Sequence, residues 1–310
     1  MHKVIALAGG VGGAKLVLGL SKILKPQELS VVVNTADDDM FHGLHVSPDV
    51  DTVMYALAGL TNKTTGWGIE GDTFITLSAL QRLGEDTWFQ LGDLDLATHI
   101  KRTSMLNNGK SLTEATQNLS KSLGILHDVI PMSDDPVKTI AITETEELDF
   151  QDYFVRQKCE PVIKGVRFDG INTAKPSQQF IDNMSQSEAI IICPSNPIVS
   201  IPPIIELPGI KELISNYHGK TIGVSPIVSN QALKGPAAKM MRELQEDVSS
   251  IGVAKRYVGL CDWFVIDKAD AEEADAIEKL GMNVHITSTI MNSNEDKISL
   301  ANEVVNLIKN

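Results

Sequence analysis

The sequence predicts an α/β protein built on a doubly wound, mostly parallel sheet, with a largely helical and partly β inserted region. Three observations predict it: a strand–helix–strand unit opens the chain, apolar strand-like runs return near its end, and the middle abandons that alternation. Val4 to Ala8 is a short apolar run bounded by glycines, as a buried parallel strand requires. Ala14 to Leu24 then sets Leu16, Leu20, Ile23 and Leu24 on one helical face, and Leu29 to Val33 is a second, β-branched run ending at Asn34.

The later strands are Ala189 to Cys193, Thr221 to Val224, Trp263 to Ile266 and Asn283 to Ile286, each followed by a turn or a helical segment. Strands alternating with helices at both ends indicate a Rossmann-like sheet covered on both faces. From Asp51 to Leu123 the pattern is mostly helical, interrupted by Gly66-Trp67-Gly68, and from Val129 to about Phe168 it becomes β-like. Residues 51–175 are therefore expected to be a cap inserted over the sheet of a single domain spanning 1–310. Lys234 to Gly252 is expected to be a loop leading into an amphipathic helix.

Composition narrows the function. A formal net charge of −13 disfavours broad contact with nucleic acid, whose phosphates want Lys and Arg. It leaves room for a small phosphorylated ligand held by local dipoles. The 3 cysteines have no metal-like spacing and read as buried thiols in a reducing cytoplasm. The apolar stretch after Met1-His2-Lys3 is too short to span a membrane, so the expected protein is soluble and cytoplasmic.

The strongest local signal is Ala8-Gly9-Gly10-Val11-Gly12-Gly13-Ala14-Lys15, directly after the first strand. Glycines there bring amide N–H groups close to an anion, and the helix that follows adds its positive end. A phosphate is the natural occupant, although a purely structural turn has the same look. Lys15 suits either phosphate or solvent. Leu16 replaces the Ser/Thr of a P-loop, while Lys15 and Asn34 replace the third glycine and the acid of a dinucleotide fingerprint.

Asn34-Thr35-Ala36-Asp37-Asp38-Asp39 leaves the end of the second strand, and Ser47-Pro48-Asp49-Val50-Asp51-Thr52 follows. Asp49 and Asp51 flank one residue at a helix start, where carboxylates cap helices but also suit Mg²⁺, which takes one or two protein carboxylates plus phosphate oxygens. His99, in Leu91-Gly92-Asp93-Leu94-Asp95-Leu96-Ala97-Thr98-His99, is an acid, base or donor candidate or a structural helix histidine. Ser195 and Asn196, in Pro194-Ser195-Asn196-Pro197, offer a hydroxyl and an amide to phosphate or ribose, or form a capped turn. Pro131-Met132-Ser133-Asp134-Asp135-Pro136 is a further polar turn after a strand.

Taken together and in order, these runs resemble the 2-phospho-L-lactate transferases of coenzyme F-420 biosynthesis, called CofD in archaea and FbiA in actinobacteria. The resemblance covers nearly the whole chain. It implies a Mg²⁺-dependent transfer of a phospholactyl or phosphoenolpyruvyl group from a guanosine diphosphate-linked donor to the ribityl hydroxyl of the deazaflavin Fo, with release of GMP. On that resemblance, the donor lies against Gly9, Gly10, Gly12, Gly13, Lys15, Asn34, Ser195 and Asn196, and Asp49 and Asp51 are catalytic, holding the metal or orienting the attacking hydroxyl. The acceptor contacts map to Asp51 and to position 94, where Leu94 stands in place of the family's common basic residue; Trp67 and His99 are candidate acceptor contacts, and Trp67 equally suits an anchor in the core of the central helices. Relatives are commonly homodimers. Gly9-Gly10-Val11-Gly12-Gly13-Ala14 and Phe41-His42-Gly43-Leu44 lean toward the actinobacterial branch without deciding the donor. The competing expectation is a regulatory protein resembling the gluconeogenesis factor YvcK, which binds a nucleotide-sugar without transferring anything. A nicotinamide-dependent oxidoreductase is disfavoured by Asn34 and Lys15.

Overall fold

Alternate residues of the opening strand face two separate cores. In the computed structural model, which describes residues 3–232 and 235–309, β1 is Val4–Ala8 and α1 is Gly10–Ile23. β2 is Leu29–Val33, β3 Asp128–Pro131, β4 Ala189–Ile192, β5 Lys220–Val224, β6 Trp263–Asp267 and β7 Asn283–Thr287. These seven strands form one sheet in the order β7-β6-β5-β4-β1-β2-β3, every pair parallel. The chain winds from β1 outward through β2 to β3, then returns to β4 beside β1 and winds the other way. The fold is thus the doubly wound sheet expected from the alternation.

The period of two along each strand sorts the side chains. Ile5, Leu7, Val32, Ile190, Ile192 and Phe264 pack into one apolar cluster. Val4, Ala6, Val31, Val33, Ile191 and Val265 join another, with Leu16 and Leu20 of α1, Val50 and Val53 of α2 (Pro48–Ala58), and Leu300 and Val304 of the C-terminal helix Asn294–Lys309. Burial on both faces explains why the strands read as unbroken apolar runs.

Helix α1 begins at Gly10, earlier than the Ala14 expected from its apolar face. Gly10 has a φ of +58°, the left-handed region that glycine enters without penalty, so the glycine run forms the first turn of the helix and not a loop before it. Between β2 and β3 lie an antiparallel hairpin (Asp39–Phe41 with Leu44–Val46), α2, α3 (Ile75–Arg82), α4 (Asp93–Asn107) and α5 (Leu112–Ser122). After β3 comes a three-stranded antiparallel sheet with Lys138–Thr143 in its centre, flanked by Glu147–Asp149 and Ile163–Asp169. Range 51–175 therefore holds this small sheet and the helices but also supplies β3, the edge of the main sheet. Residues 237–256 fold as two short helices, Ala237–Glu243 and Ser250–Arg256, and not as one. The Met1-His2 lead-in and the loop start at Lys234 lie outside the described residues. No described helix is long and apolar enough to cross a membrane.

Candidate active site

A cleft of about 610 Å³ opens at the carboxyl ends of β1 and β4, the point where the strand order reverses. Open α/β sheets bind their ligands at that point. Gly9, Gly10, Gly12 and Lys15 reach it from the start of α1, Asp49 and Asp51 from α2, His99 from α4, and Ser195 and Asn196 from the end of β4. Trp67 reaches it from the Gly66–Gly68 loop, which packs its Gly66 against Val11 of α1. Ten of the expected residues thus converge from five segments. Gly13, Asn34 and Leu94 do not line the cleft. Leu94 is 53% exposed and its backbone N–H caps onto Asp72 Oδ1 at 2.8 Å.

Not every glycine amide is open to an anion. Gly9 N–H donates to Ser195 Oγ at 3.0 Å, and the Gly10 N–H is directed at the Asp49 carboxylate. The next amides, of Val11 and Gly12, lie in the first turn, where a helix has no partner of its own for them, and both residues line the cleft. Gly13 serves packing, since a Cβ there would stand 2.5 Å from Ser195 Oγ and 3.1 Å from Ala8 Cβ. Lys15 Nζ donates to the Met291 carbonyl at 2.8 Å, tying α1 to the loop after β7.

Asn34 is buried behind the cleft and organises carboxylates. Its Nδ2 donates to Asp37 Oδ2 at 3.1 Å and Asp49 Oδ2 at 3.0 Å, while its Oδ1 accepts from Ala36 N at 2.9 Å. Burial, then the neighbouring charge of Asp49, holds the Asp37 carboxyl well above the usual carboxylate range. Burial pushes the Asp49 carboxyl up to about 6. Asp37 Oδ1 is buried without a hydrogen-bond partner. Two buried carboxylates, one with an orphaned oxygen, fit a cation that takes few protein ligands and completes its shell with phosphate and water, as Mg²⁺ does. No cage of three or more His, Cys, Asp or Glu exists among the described residues.

Asp51 is engaged elsewhere. Arg102 of α4 donates to both its oxygens, through Nη2 to Oδ1 and through Nη1 to Oδ2 at 3.1 Å. His99 Nδ1 lies 3.6 Å from Asp51 Oδ2, and His99 Nε2 lies 3.2 Å from Asp95 Oδ2 at a poor hydrogen-bonding angle. Tyr55 O–H donates to Asp95 Oδ1 at 2.5 Å. The two aspartates expected to share one cation therefore have different partners: Asp49 is linked through Asn34 to Asp37, and Asp51 is held by Arg102.

The remaining wall is aromatic. Phe89, Phe150 and Phe154 line the cleft with Trp67. Phe89 stacks on Phe41 with centroids 3.9 Å apart, and Phe150 stacks on Phe154 at 5.5 Å. Phe154 belongs to a single π-helical turn, Asp152–Arg156, a form often found at functional sites. Gln151, just before it, donates to the Asp37 carbonyl at 3.0 Å and so fastens this wall to the carboxylates. The sequence did not single out Asp37, Asp95, Tyr55 or the phenylalanines as cleft-lining residues, nor Arg102 behind them. One signal was available: Asp95, His99 and Arg102 fall at i, i+4 and i+7, a polar stripe where α4 should bury an apolar one. The Pro131–Pro136 turn is structural, with Ser133 Oγ donating to the Lys175 carbonyl at 2.7 Å and Asp134 Oδ1 accepting from Thr113 N at 2.7 Å.

Fold and site together define a doubly wound α/β protein with a switch-point cleft in which a glycine-rich helix start faces clustered carboxylates. The family model for the 2-phospho-L-lactate transferase CofD matches residues 4–302. The chain is 42% identical over 302 residues to the 2-phospho-L-lactate transferase of Methanosarcina mazei, covering 97% of this chain and 99% of that one. It is 39% identical over 306 residues to the enzyme of the same name from Methanocaldococcus jannaschii, covering 97% of each. A crystal structure of a UPF0052 family member from Bacillus halodurans shares the fold, with a TM-score of 0.62 at 18% identity over 98% of this chain and 99% of that one. The chain belongs to the 2-phospho-L-lactate transferase CofD family.

Proposed function

We propose that this protein transfers a phospholactyl group from a guanosine diphosphate-linked donor to the terminal ribityl hydroxyl of Fo, releasing GMP. The observation that carries the reading is the meeting, in one cleft, of the Asn34-linked pair Asp37 and Asp49, the open first turn of α1 and an aromatic wall. Family membership supports the transferred group, since the relatives of about 40% identity carry the name 2-phospho-L-lactate transferase.

Reactions of this type depend on positioning and charge neutralisation more than on a protein nucleophile. The donor diphosphate lies against the Val11 and Gly12 amides and beside Ser195 and Asn196. Asp49 with Asp37 would hold Mg²⁺, which supplies neutralisation of the phosphoryl charge when bound. Asp51, its carboxylate fixed from behind by Arg102, accepts a hydrogen bond from the attacking hydroxyl and orients it. The hydroxyl oxygen bonds to the phosphorus that bears the three-carbon acid, the bridging P–O bond breaks toward GMP, and the hydroxyl proton, passed through Asp51, leaves to the GMP phosphate or to solvent. Trp67, Phe89 and Phe154 offer flat apolar faces to the deazaflavin ring.

A mass-resolved assay with Fo and both guanylylated donors, phospholactyl and phosphoenolpyruvyl, tests this directly. Phospholactyl addition to Fo, dependent on Mg²⁺ and reduced about 100-fold or more by Asp51→Ala, is the expected result. Fo that keeps its mass with either donor, and shows no saturable binding by its own fluorescence, would leave the nucleotide-sugar regulator as the better reading.

A further inference from the structure

Arg102 is the bulkiest of the fully buried described side chains, in a protein of net charge −13. It lies behind the cleft floor: Asp51, His99, Asp95 and Tyr55 reach the cleft, and Arg102 does not. Taking a guanidinium wholly out of water is expensive, and an apolar side chain of similar volume often serves stability as well. Its Nε–H finds no acceptor among the described residues, so the site is not optimised for the arginine itself. What a guanidinium adds is a rigid donor fork, which sets the orientation of a carboxylate as well as its charge.

The fork acts on two cleft residues at once. Nη2 and Nη1 take the two oxygens of Asp51, leaving the remaining lone pairs of that carboxylate for the cleft. Nη1 also lies 3.3 Å from His99 Nδ1, nearer than the 3.6 Å between that nitrogen and Asp51 Oδ2. A guanidinium only donates, so the imidazole nitrogen facing it carries a lone pair and the ring proton stands on Nε2. Nε2 lies 3.2 Å from Asp95 Oδ2, off the angle of a good hydrogen bond, and the other oxygen of Asp95 is taken by Tyr55.

We infer that Arg102 is a positioning residue for the transfer: it orients Asp51 and fixes His99 as the Nε2–H tautomer without touching the substrate. Its kinetic consequence rests on the transferase reading, whereas the placement of the proton does not. Lysine carries the charge but not the fork, so it restores neither the bidentate hold nor the donor to Nδ1.

The test is long-range ¹H–¹⁵N spectroscopy of the full chain labelled at its 7 histidines, with His99 assigned by its loss in His99→Gln. Spectra are taken at pH ~8, above the ordinary imidazole pKa of about 6.5. Wild type should show the Nε2–H pattern for His99, and Arg102→Met should lose it. Transfer by Arg102→Met should fall about 100-fold in kcat with the KM for Fo little changed, and Arg102→Lys should recover stability but not the His99 pattern. Should Arg102→Met not fold with Asp51 left unpaired, the Arg102→Met/Asp51→Ala pair removes both charges and still reports the tautomer. An Nδ1–H pattern in wild type, an unchanged Nε2–H pattern in the double variant, or wild-type kcat in Arg102→Met overturns the inference. An Nε2–H pattern in a protein that transfers nothing to Fo supports the proton placement and removes only the functional reading.

Discussion

Replacing Gly9 with alanine separates steric fit from backbone strain at the heart of the cleft. Gly9 has φ −155° and ψ 147°, extended backbone that any residue adopts. The added Cβ, however, would stand 2.7 Å from both Asp49 Oδ2 and Ser200 Cβ, and 3.2 Å from Ser200 Oγ. Relaxed contacts of this kind lie near 3.5 Å or more, so something must yield by roughly 0.8 Å. Asp49 is the more movable neighbour, but it is held by Asn34 at 3.0 Å and is one of the two carboxylates proposed to hold the cation. Overpacking of this size costs about 1–3 kcal/mol, and displacing a reacting group by about 1 Å costs about 100-fold in rate. Gly9→Ala should therefore lower Tm by a few degrees and kcat by about two orders of magnitude. Gly165→Ala is the control, because its Cβ would make only an ordinary 3.6 Å contact with Ile142 Cδ1, away from the cleft. Steady-state transfer and thermal melts of both variants make the comparison. A Gly9→Ala protein with wild-type Tm and turnover within about threefold of wild type would refute the placement of Asp49 at the reacting centre.

Trp67 is 48% exposed at the cleft, so Trp67→Ala should raise the KM for Fo roughly 2- to 12-fold, the worth of one aromatic contact, and leave GDP affinity unchanged by calorimetry. Equal losses for both ligands would place Trp67 in the scaffold. Ser195→Ala strips the acceptor from the buried Gly9 N–H and should cost about 1–3 kcal/mol by urea unfolding; an unmoved midpoint would contradict that bond. Burial pushes the thiol of Cys159 up to about 11 and those of Cys193 and Cys261 further still. A raised thiol stays protonated until the pH passes its shifted value, so at pH ~8 none of the three should react with a disulfide reagent until urea is added. Rapid labelling of the folded protein would show that one of them is not buried.

The parts of this protein readable in sequence are those set by neighbours in the chain. Unbroken apolar runs such as Val4–Ala8 and Ala189–Ile192 announce strands buried on both faces, and their alternation with helices announces the doubly wound sheet. The glycine run after β1 marks a tight entry into α1 for the same local reason, that glycine enters the φ of +58° at Gly10 without a steric penalty. Where sequence reading slipped, a packing contact had overridden a local preference. Glycine's poor helix propensity hides the true start of α1, and nothing in Asp128–Pro131 says that this strand pairs with β2 and not with the strands of a cap.

Which groups the cleft brings into play was decided by contacts that no local pattern encodes. Gly9 gives its N–H to Ser195, 186 residues away, and so keeps that amide from a phosphate. Asn34 links Asp37 to Asp49 across 15 residues, and Arg102 claims Asp51 across 51. Residue type and spacing set which chemistry a segment can offer, because they govern backbone conformation and hydrophobic face. The division of labour among the aspartates follows from which donor each carboxylate meets once the sheet closes, and that is a property of the packed molecule alone.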